Sequence, residues 1–322
     1  MTKPRDARVW RALDEVPDDL GRTVVTIGNF DGVHLGHQHV VRRAREVADD
    51  LGVGHVVAVT FDPHPFAVLR PEHAPPTLTT VPTRVELLAA AGVDDVLVVP
   101  FSRDIAAWTP ERFVEEILVV TLRARAVVVG ANFRFGNRAA GDVATLREQG
   151  AIHDFVTDPV ALDGGPQVWS STYVRNCLAA GDVEGAAEAL GRPFTVRGTV
   201  SRGEQRGREL GYPTANVPTG GAAAPADGVY AGWLTRGDTG ERLAAAISVG
   251  TNPTFDGERD RRVEAYVLDR TDLALYGVEV EVAFVAHIRG MRRFDGVDPL
   301  LEAMAEDVVR TRSLLGLPSV DR

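Results

Sequence analysis

With a single cysteine, Cys177, the 322-residue chain can form no intramolecular disulfide. Long apolar runs are missing too: stretches such as Ala126 to Val129 fall far short of the ~20 residues a membrane-spanning helix needs. The polar start, Met1 to Asp6, lacks the apolar centre of a signal peptide. Basic charge is in deficit, 35 Lys and Arg against 45 Asp and Glu, and a net charge of -10 argues against a broad nucleic-acid-binding surface. No internal repeat or low-complexity tract occurs beyond a small linker-like patch at 220–225. These absences predict a cytoplasmic protein with no nucleic-acid partner and no membrane span, and leave room for a homo-oligomer. A hydrophobic content of 44% supplies a sizeable core. At about 150 residues per domain the length favours two domains.

What the chain does have is concentrated at Gly28-Asn29-Phe30-Asp31-Gly32-Val33-His34-Leu35-Gly36-His37. The preceding Thr23 to Ile27 is a short β-branched run of the kind that forms a buried parallel strand, and the spacing of Val40, Val41, Ala44 and Val47 predicts a helix over 38–50. His34 and His37 then fall in the first helical turn, where free N–H groups and the positive end of the macrodipole favour an anion. At i and i+3 they project to one side. Gly32 and Gly36 let the backbone approach a ligand closely. A His-x-x-His pair standing alone is as often solvated surface or a fragment of a metal site.

The first half continues as alternating strands and helices. Strands are predicted over 56–61, 96–100 and 126–130, with helices over 81–91 and 110–118 between them. Such alternation implies a parallel sheet whose ligands bind beyond the strands' C-terminal ends. Three strand ends carry candidate site loops: Gly28 to His37, Asp62-Pro63-His64-Pro65, and Gly130-Ala131-Asn132-Phe133-Arg134-Phe135-Gly136. Read singly, the second is a rigid turn and the third a loop with two aromatics tucked into the core. A fourth segment, Trp169-Ser170-Ser171-Thr172-Tyr173-Val174-Arg175, reads as a helix start with hydroxyl caps, and the same geometry aims free N–H groups and Arg175 at a phosphate.

The pattern G-x-x-D-x-x-H-x-G-H resembles the nucleotidyltransferase superfamily. Together with F-D-P-H-P, V-G-A-N-F-R-F-G and S-S-T-Y-V-R it is similar to the amino-terminal module of the bacterial bifunctional riboflavin kinases and FMN adenylyltransferases, the prokaryotic FAD synthetases. The resemblance implies a Rossmann-like domain with His34 and His37 as catalytic residues on the phosphates of ATP. Gly28, Phe30, Asp31, Ser171, Thr172 and Arg175 would complete the ATP site, and Asp62, His64, Asn132 and Arg134 the flavin side. Two positions depart from many relatives: Asn132 stands where they have Asp, and Tyr173 where they have a basic residue.

Gly191-Arg192-Pro193 ends a helical run over 183–190 and predicts a boundary between domains 1–190 and 191–322. Beyond it, strand-like segments over 194–200, 229–234, 244–249, 262–268 and 278–285 are separated by turns, and only 299–315 reads as helix. That pattern predicts a small antiparallel barrel with a terminal helix, giving α/β plus β overall. The motif Gly207-Arg208-Glu209-Leu210-Gly211-Tyr212-Pro213-Thr214-Ala215-Asn216 resembles riboflavin kinase. The resemblance implies ATP binding by Gly207, Arg208, Gly211, Pro213, Thr214 and Asn216, with Thr214 and Asn216 also at Mg2+, and flavin binding by Arg289, Met291 and Phe294. It makes Glu264 the general base for the flavin's ribityl hydroxyl, although strand parity alone does not say which face Glu264 occupies. Glu279 and Glu281 read as ordinary exposed strand carboxylates.

The implied activity is phosphorylation of riboflavin by ATP to FMN, followed by adenylylation of FMN to FAD with release of pyrophosphate. Two rivals are an adenylyltransferase acting on another phosphorylated acceptor, which leaves the barrel motif idle, and a non-enzymatic flavin sensor.

Overall fold

The computed structural model describes residues 7–161, 169–202, 210–251, 261–270 and 272–318, and divides into two compact units, Met1–Ser170 and Ser171–Arg322. The motif residues Gly207 and Arg208 lie outside the described residues.

The first unit is built on a parallel sheet of six strands: β1 (Arg8–Trp10), β2 (Thr23–Ile27), β3 (His55–Asp62), β4 (Asp95–Pro100), β5 (Ala124–Gly130) and β6 (Val156–Val160), in the spatial order β1-β4-β3-β2-β5-β6. Alternate strand residues serve two separate cores. Val25, Ile27, Val57, Val59, Val127 and Val129 pack against Phe113 to Leu122 and Leu146, whereas Val24, Val56, Ala58, Ala126 and Val128 pack against helices Leu35–Leu51 and Val81–Ala91. Both faces are covered, which explains the unbroken apolar runs of these strands. The chain leaves β2 towards β3 and β4, then crosses to place β5 on the other side of β2. That reversal beside β2 is the topological switch point, and loops after β2 and β5 flank its crevice.

Several predicted elements shift. The first helix begins at Leu35 rather than Gln38, so His34 is its N-cap instead of a first-turn residue. The helix over 110–118 runs on to Thr121, and from Val114 it is wound in wider π turns. Strands β1 and β6 and helix Val143–His153 add to the predicted elements.

The second unit opens with helices Ser171–Ala180 and Val183–Leu190, the latter ended by Gly191 in the left-handed region (φ 70°). An antiparallel sheet follows: β7 (Phe194–Thr199), β8 (Thr214–Pro218), β9 (Gly228–Arg236), β10 (Arg242–Thr251), β11 (Arg261–Val267) and β12 (Glu279–Gly290), ordered β7-β12-β9-β10-β11-β8. It curls into a half-barrel whose edges meet where the chain after β7 bridges to β8, Ser201 to Asn216. At that seam a Cβ on Gly198 would lie 2.9 Å from the Val217 side chain, so only glycine fits. Val217, Val249, Val263, Ala265, Tyr230 and Phe284 fill the interior. Helix Val297–Leu314 lies on β9, β10 and β12. Glu281 proves to be paired rather than free: Arg197 on β7 donates to it at 2.6 Å. Among the described residues no helix is long and apolar enough to cross a membrane.

Candidate active sites

In the first unit the turn after β2 puts Phe30 (φ 48°), Gly32 (φ 83°) and Val33 (φ 41°) in the left-handed region. A β-branched residue there is strained, and such strain persists only where surrounding contacts hold it. Here they do. The buried Asp31 carboxylate accepts the N–H groups of Leu78 and Thr79 at 3.0 Å and the Thr79 hydroxyl at 3.1 Å, while the Gly32 N–H donates to Thr79 Oγ1 at 3.1 Å. The Gln38 amide donates to the Val33 carbonyl at 2.9 Å. Asp31 thus spends its carboxylate on the loop before helix Val81–Ala91.

The turn delivers the two histidines as a stacked pair, ring centroids 3.6 Å apart and 24° between planes. The buried His34 caps the helix: its Nδ1 accepts the His37 backbone N–H at 3.3 Å. Acceptance at Nδ1 places the neutral ring's proton on Nε2, which makes that edge a donor. His37 is wedged by the buried Phe30 ring at 5.1 Å, and its Nδ1 is buried with no hydrogen-bond partner among the described residues. Burial, then the neighbouring His34 and Arg84, hold its pKa well below the usual histidine value, so the ring is neutral at physiological pH. A Cβ on Gly36 would sit 3.1 Å from the His34 ring, a close contact that the glycine avoids.

The other strand-end loops lie where predicted, with more modest local roles. His64 caps the short helix Pro65–Leu69, its Nδ1 accepting the Phe66 N–H at 3.2 Å. Phe133 and Phe135 stack at 5.5 Å and join the core, leaving Asn132 exposed and Arg134 paired with Asp142 at 3.2 Å. In the second unit, Ser171 and Thr172 open helix Ser171–Ala180 and Arg175 sits one turn along it. Arg84, which sequence reasoning passed over, is buried behind the histidine turn.

The half-barrel presents a different kind of site. Directly opposed residues on neighbouring strands share a face, and the register strings Asn216 (β8), Glu264 (β11), Ser248 (β10), Val229 (β9) and Arg289 (β12) into one row across the sheet. The alternate residues Val217, Val263 and Val249 are buried, which puts Glu264 on the face away from the barrel interior. A cleft of about 300 Å³ opens on this face, lined by Glu264, Ser248, Thr214, Arg289 and Met291. Tyr212 and Tyr266, 4.9 Å apart, form one side, and Leu300 and Met304 of the terminal helix another. Two register shifts in β12 precede Arg289, the usual means by which a strand re-aims a side chain. Its guanidinium is held in a fork by Asp307 at 2.9 and 2.7 Å and lies 5.8 Å over the Phe294 ring. Arg289, Met291 and Phe294 therefore gather at one end of the cleft, with Glu264 and Thr214 in the same wall.

Comparison with known proteins decides the family. The FAD synthetase pattern matches residues 16–172 and the riboflavin kinase pattern residues 190–315. The chain belongs to the bifunctional riboflavin kinase/FMN adenylyltransferase family. Proteins of that name from Escherichia coli K12 (36% identity, covering 91% of this chain and 93% of the relative) and Pseudomonas fluorescens (36%, covering 97% and 99%) are similar along almost the whole length. A solved structure described as a macrolide-efflux protein from Streptococcus pneumoniae has the same fold, with 30% identity and a TM-score of 0.86 over 95% of this chain and 99% of that one.

Proposed function

We infer that the chain makes FAD in two steps, phosphorylating riboflavin to FMN and adenylylating FMN to FAD, with ATP as co-substrate in both. The observation that carries this reading is the presence of both family patterns in one chain, FAD synthetase over 16–172 and riboflavin kinase over 190–315.

In the adenylyl transfer an FMN phosphate oxygen attacks the α-phosphorus of ATP and pyrophosphate leaves. The nucleophile is already an anion, so the site needs donors for the developing charge rather than a base. A neutral stacked histidine pair at a helix N-terminus meets that need, and we assign His34 and His37 this role. Gly28, Phe30 and Asp31 shape and hold the turn, and Ser171, Thr172 and Arg175 are assigned to ATP through their motif. Asp62, His64, Asn132 and Arg134 are assigned to the flavin side.

Phosphorylation of a ribityl hydroxyl does release a proton. Glu264 is the proposed acceptor, with Arg289, Met291 and Phe294 around the flavin and Gly207, Arg208, Gly211, Pro213, Thr214 and Asn216 at ATP. Thr214 and Asn216, two apart on β8, share a face and offer neutral hard oxygens. Magnesium takes such ligands while keeping waters and binding phosphates, so these two residues would hold Mg2+ with ATP, and the ion would neutralise phosphate charge there. The kinase residues fall in 191–322, and those of adenylyl transfer in 1–190.

The test is to incubate pure protein with riboflavin, ATP and magnesium and resolve the flavins by chromatography. FMN and FAD are expected. Unchanged riboflavin would favour flavin sensing, and FMN alone would leave the first unit's assignment without support.

A further inference from the structure

Arg84 is an arginine where a helix should bury an apolar residue. It lies one turn before the buried Leu88 on helix Val81–Ala91 and is only 3% exposed. Its guanidinium donates to the Thr60 hydroxyl at 3.0 Å and the Phe61 carbonyl at 3.2 Å, both near the end of β3, and lies 3.9 Å from the Asp31 carboxylate. Thr60 in turn donates to the Asn29 carbonyl at 3.1 Å, inside the histidine turn. One buried cation thus ties together the turn after β2 and the end of β3, the two segments that carry His34, His37 and Asp62. The Arg84 Nε is buried without a hydrogen-bond partner among the described residues, as is His37 Nδ1. A buried cation with an unsatisfied N–H is costly, and its retention calls for a role beyond stability.

We propose that Arg84 is a positioning residue of the adenylyl-transfer site, a buried cation that clamps the histidine turn to the end of β3 and adds a positive charge to the surroundings of His37. The proposal rests on the adenylyltransferase reading above and deepens it. The groups whose charge acts on His37 are His34, stacked on it, and Arg84, from the helix behind; Asp31 and Asp62 act on Arg84 in turn. A cation beside an imidazole disfavours its protonation. Removing it therefore raises the pH below which His37 charges, and the acid limb of the reaction moves up.

The experiment uses full-length protein, with FMN and ATP as substrates and kcat, FMN KM and pH profile as readouts. Arg84→Lys keeps the charge and loses the fork: kcat is expected to fall several-fold with the acid limb where the parent has it. Arg84→Met loses both, with kcat down about tenfold or more, in the range of a lost electrostatic contact, and the limb shifted to higher pH. A Met variant with the parent's limb overturns the proposal, as does a Lys variant with the parent's kcat. Melting curves report folding; if the Met variant does not fold, the Lys variant decides by the same criterion. A parent that makes no FAD from FMN overturns the underlying reading and this inference with it, whereas an active parent beside a parental Lys variant overturns this inference alone.

Discussion

The two units solve the same problem, holding ATP against a flavin, with opposite architectures. In the first, the groups proposed to react stand in the turn after a strand and the helix start that follows it, while the strands' own side chains are committed to two cores. In the second, the proposed groups stand on the strands themselves, in a row across the outer face of a curled sheet. The chemistry differs in parallel. A phosphate nucleophile needs no base, and the first site offers neutral imidazoles. A hydroxyl nucleophile needs one, and the second site offers a carboxylate on its wall.

The contrast breaks most completely by cutting the chain. A fragment starting at Ser171 should fold, convert riboflavin to FMN and form no FAD at all, because the histidine turn is gone. A fragment starting at Gly191 also loses helix Val183–Leu190, which buries Val183, Ala186, Ala189 and Leu190 and packs on β7 and β12. It should make FMN too, with a lower melting temperature. FAD formation by either fragment, measured by flavin chromatography, would remove the adenylyl site from the first unit.

Point substitutions sharpen the comparison from both sides. Glu264→Gln keeps the shape and loses the proton acceptor, so FMN formation should drop by about 10²- to 10⁴-fold while FAD formation from supplied FMN stays near the parent rate. His37→Ala should do the reverse, slowing FAD formation by about 10²-fold or more and letting FMN accumulate. Both assays belong on one preparation checked by circular dichroism. Loss of both activities in a folded Glu264→Gln protein would mean that the two chemistries share a site.

The same division governs what the sequence makes legible. β2 to β5 are readable because strands covered on both faces are continuous apolar runs. β6 is not, since Val156-Thr157-Asp158-Pro159-Val160 carries a proline that only an edge strand tolerates, and β1 has just three residues. Helix Val143–His153 buries only Leu146 and Gly150, too little for an apolar period, although its Asp142 and Thr145 capping box is a readable start. The histidine turn is legible as a motif, but its stacking and the capping by His34 depend on left-handed Phe30 and Val33, which no residue preference announces. Arg84 reads as a solvated helix residue, and its register with Leu88 is the one local hint to the contrary. Glu264 stays ambiguous by alternation, and the burial of Val263 and Ala265 resolves it.

The smallest effect concerns pH and follows from His37 alone. Its folded pKa lies well below the ordinary value, mainly through burial, whereas in the unfolded chain it titrates near 6.5. The role proposed for His37 needs the neutral ring, so FAD formation from FMN at saturating substrate should change by less than about twofold between pH 8 and pH 6.5. Stability behaves otherwise. Below about pH 6.5 the unfolded chain takes up a proton that the folded one refuses, so the first unit loses stability as pH falls. His37→Ala removes that uptake. Its melting temperature should therefore fall less steeply than the parent's between about pH 6.5 and 5.5, and parallel curves would show that His37 takes up its proton in the folded protein as readily as in the unfolded chain.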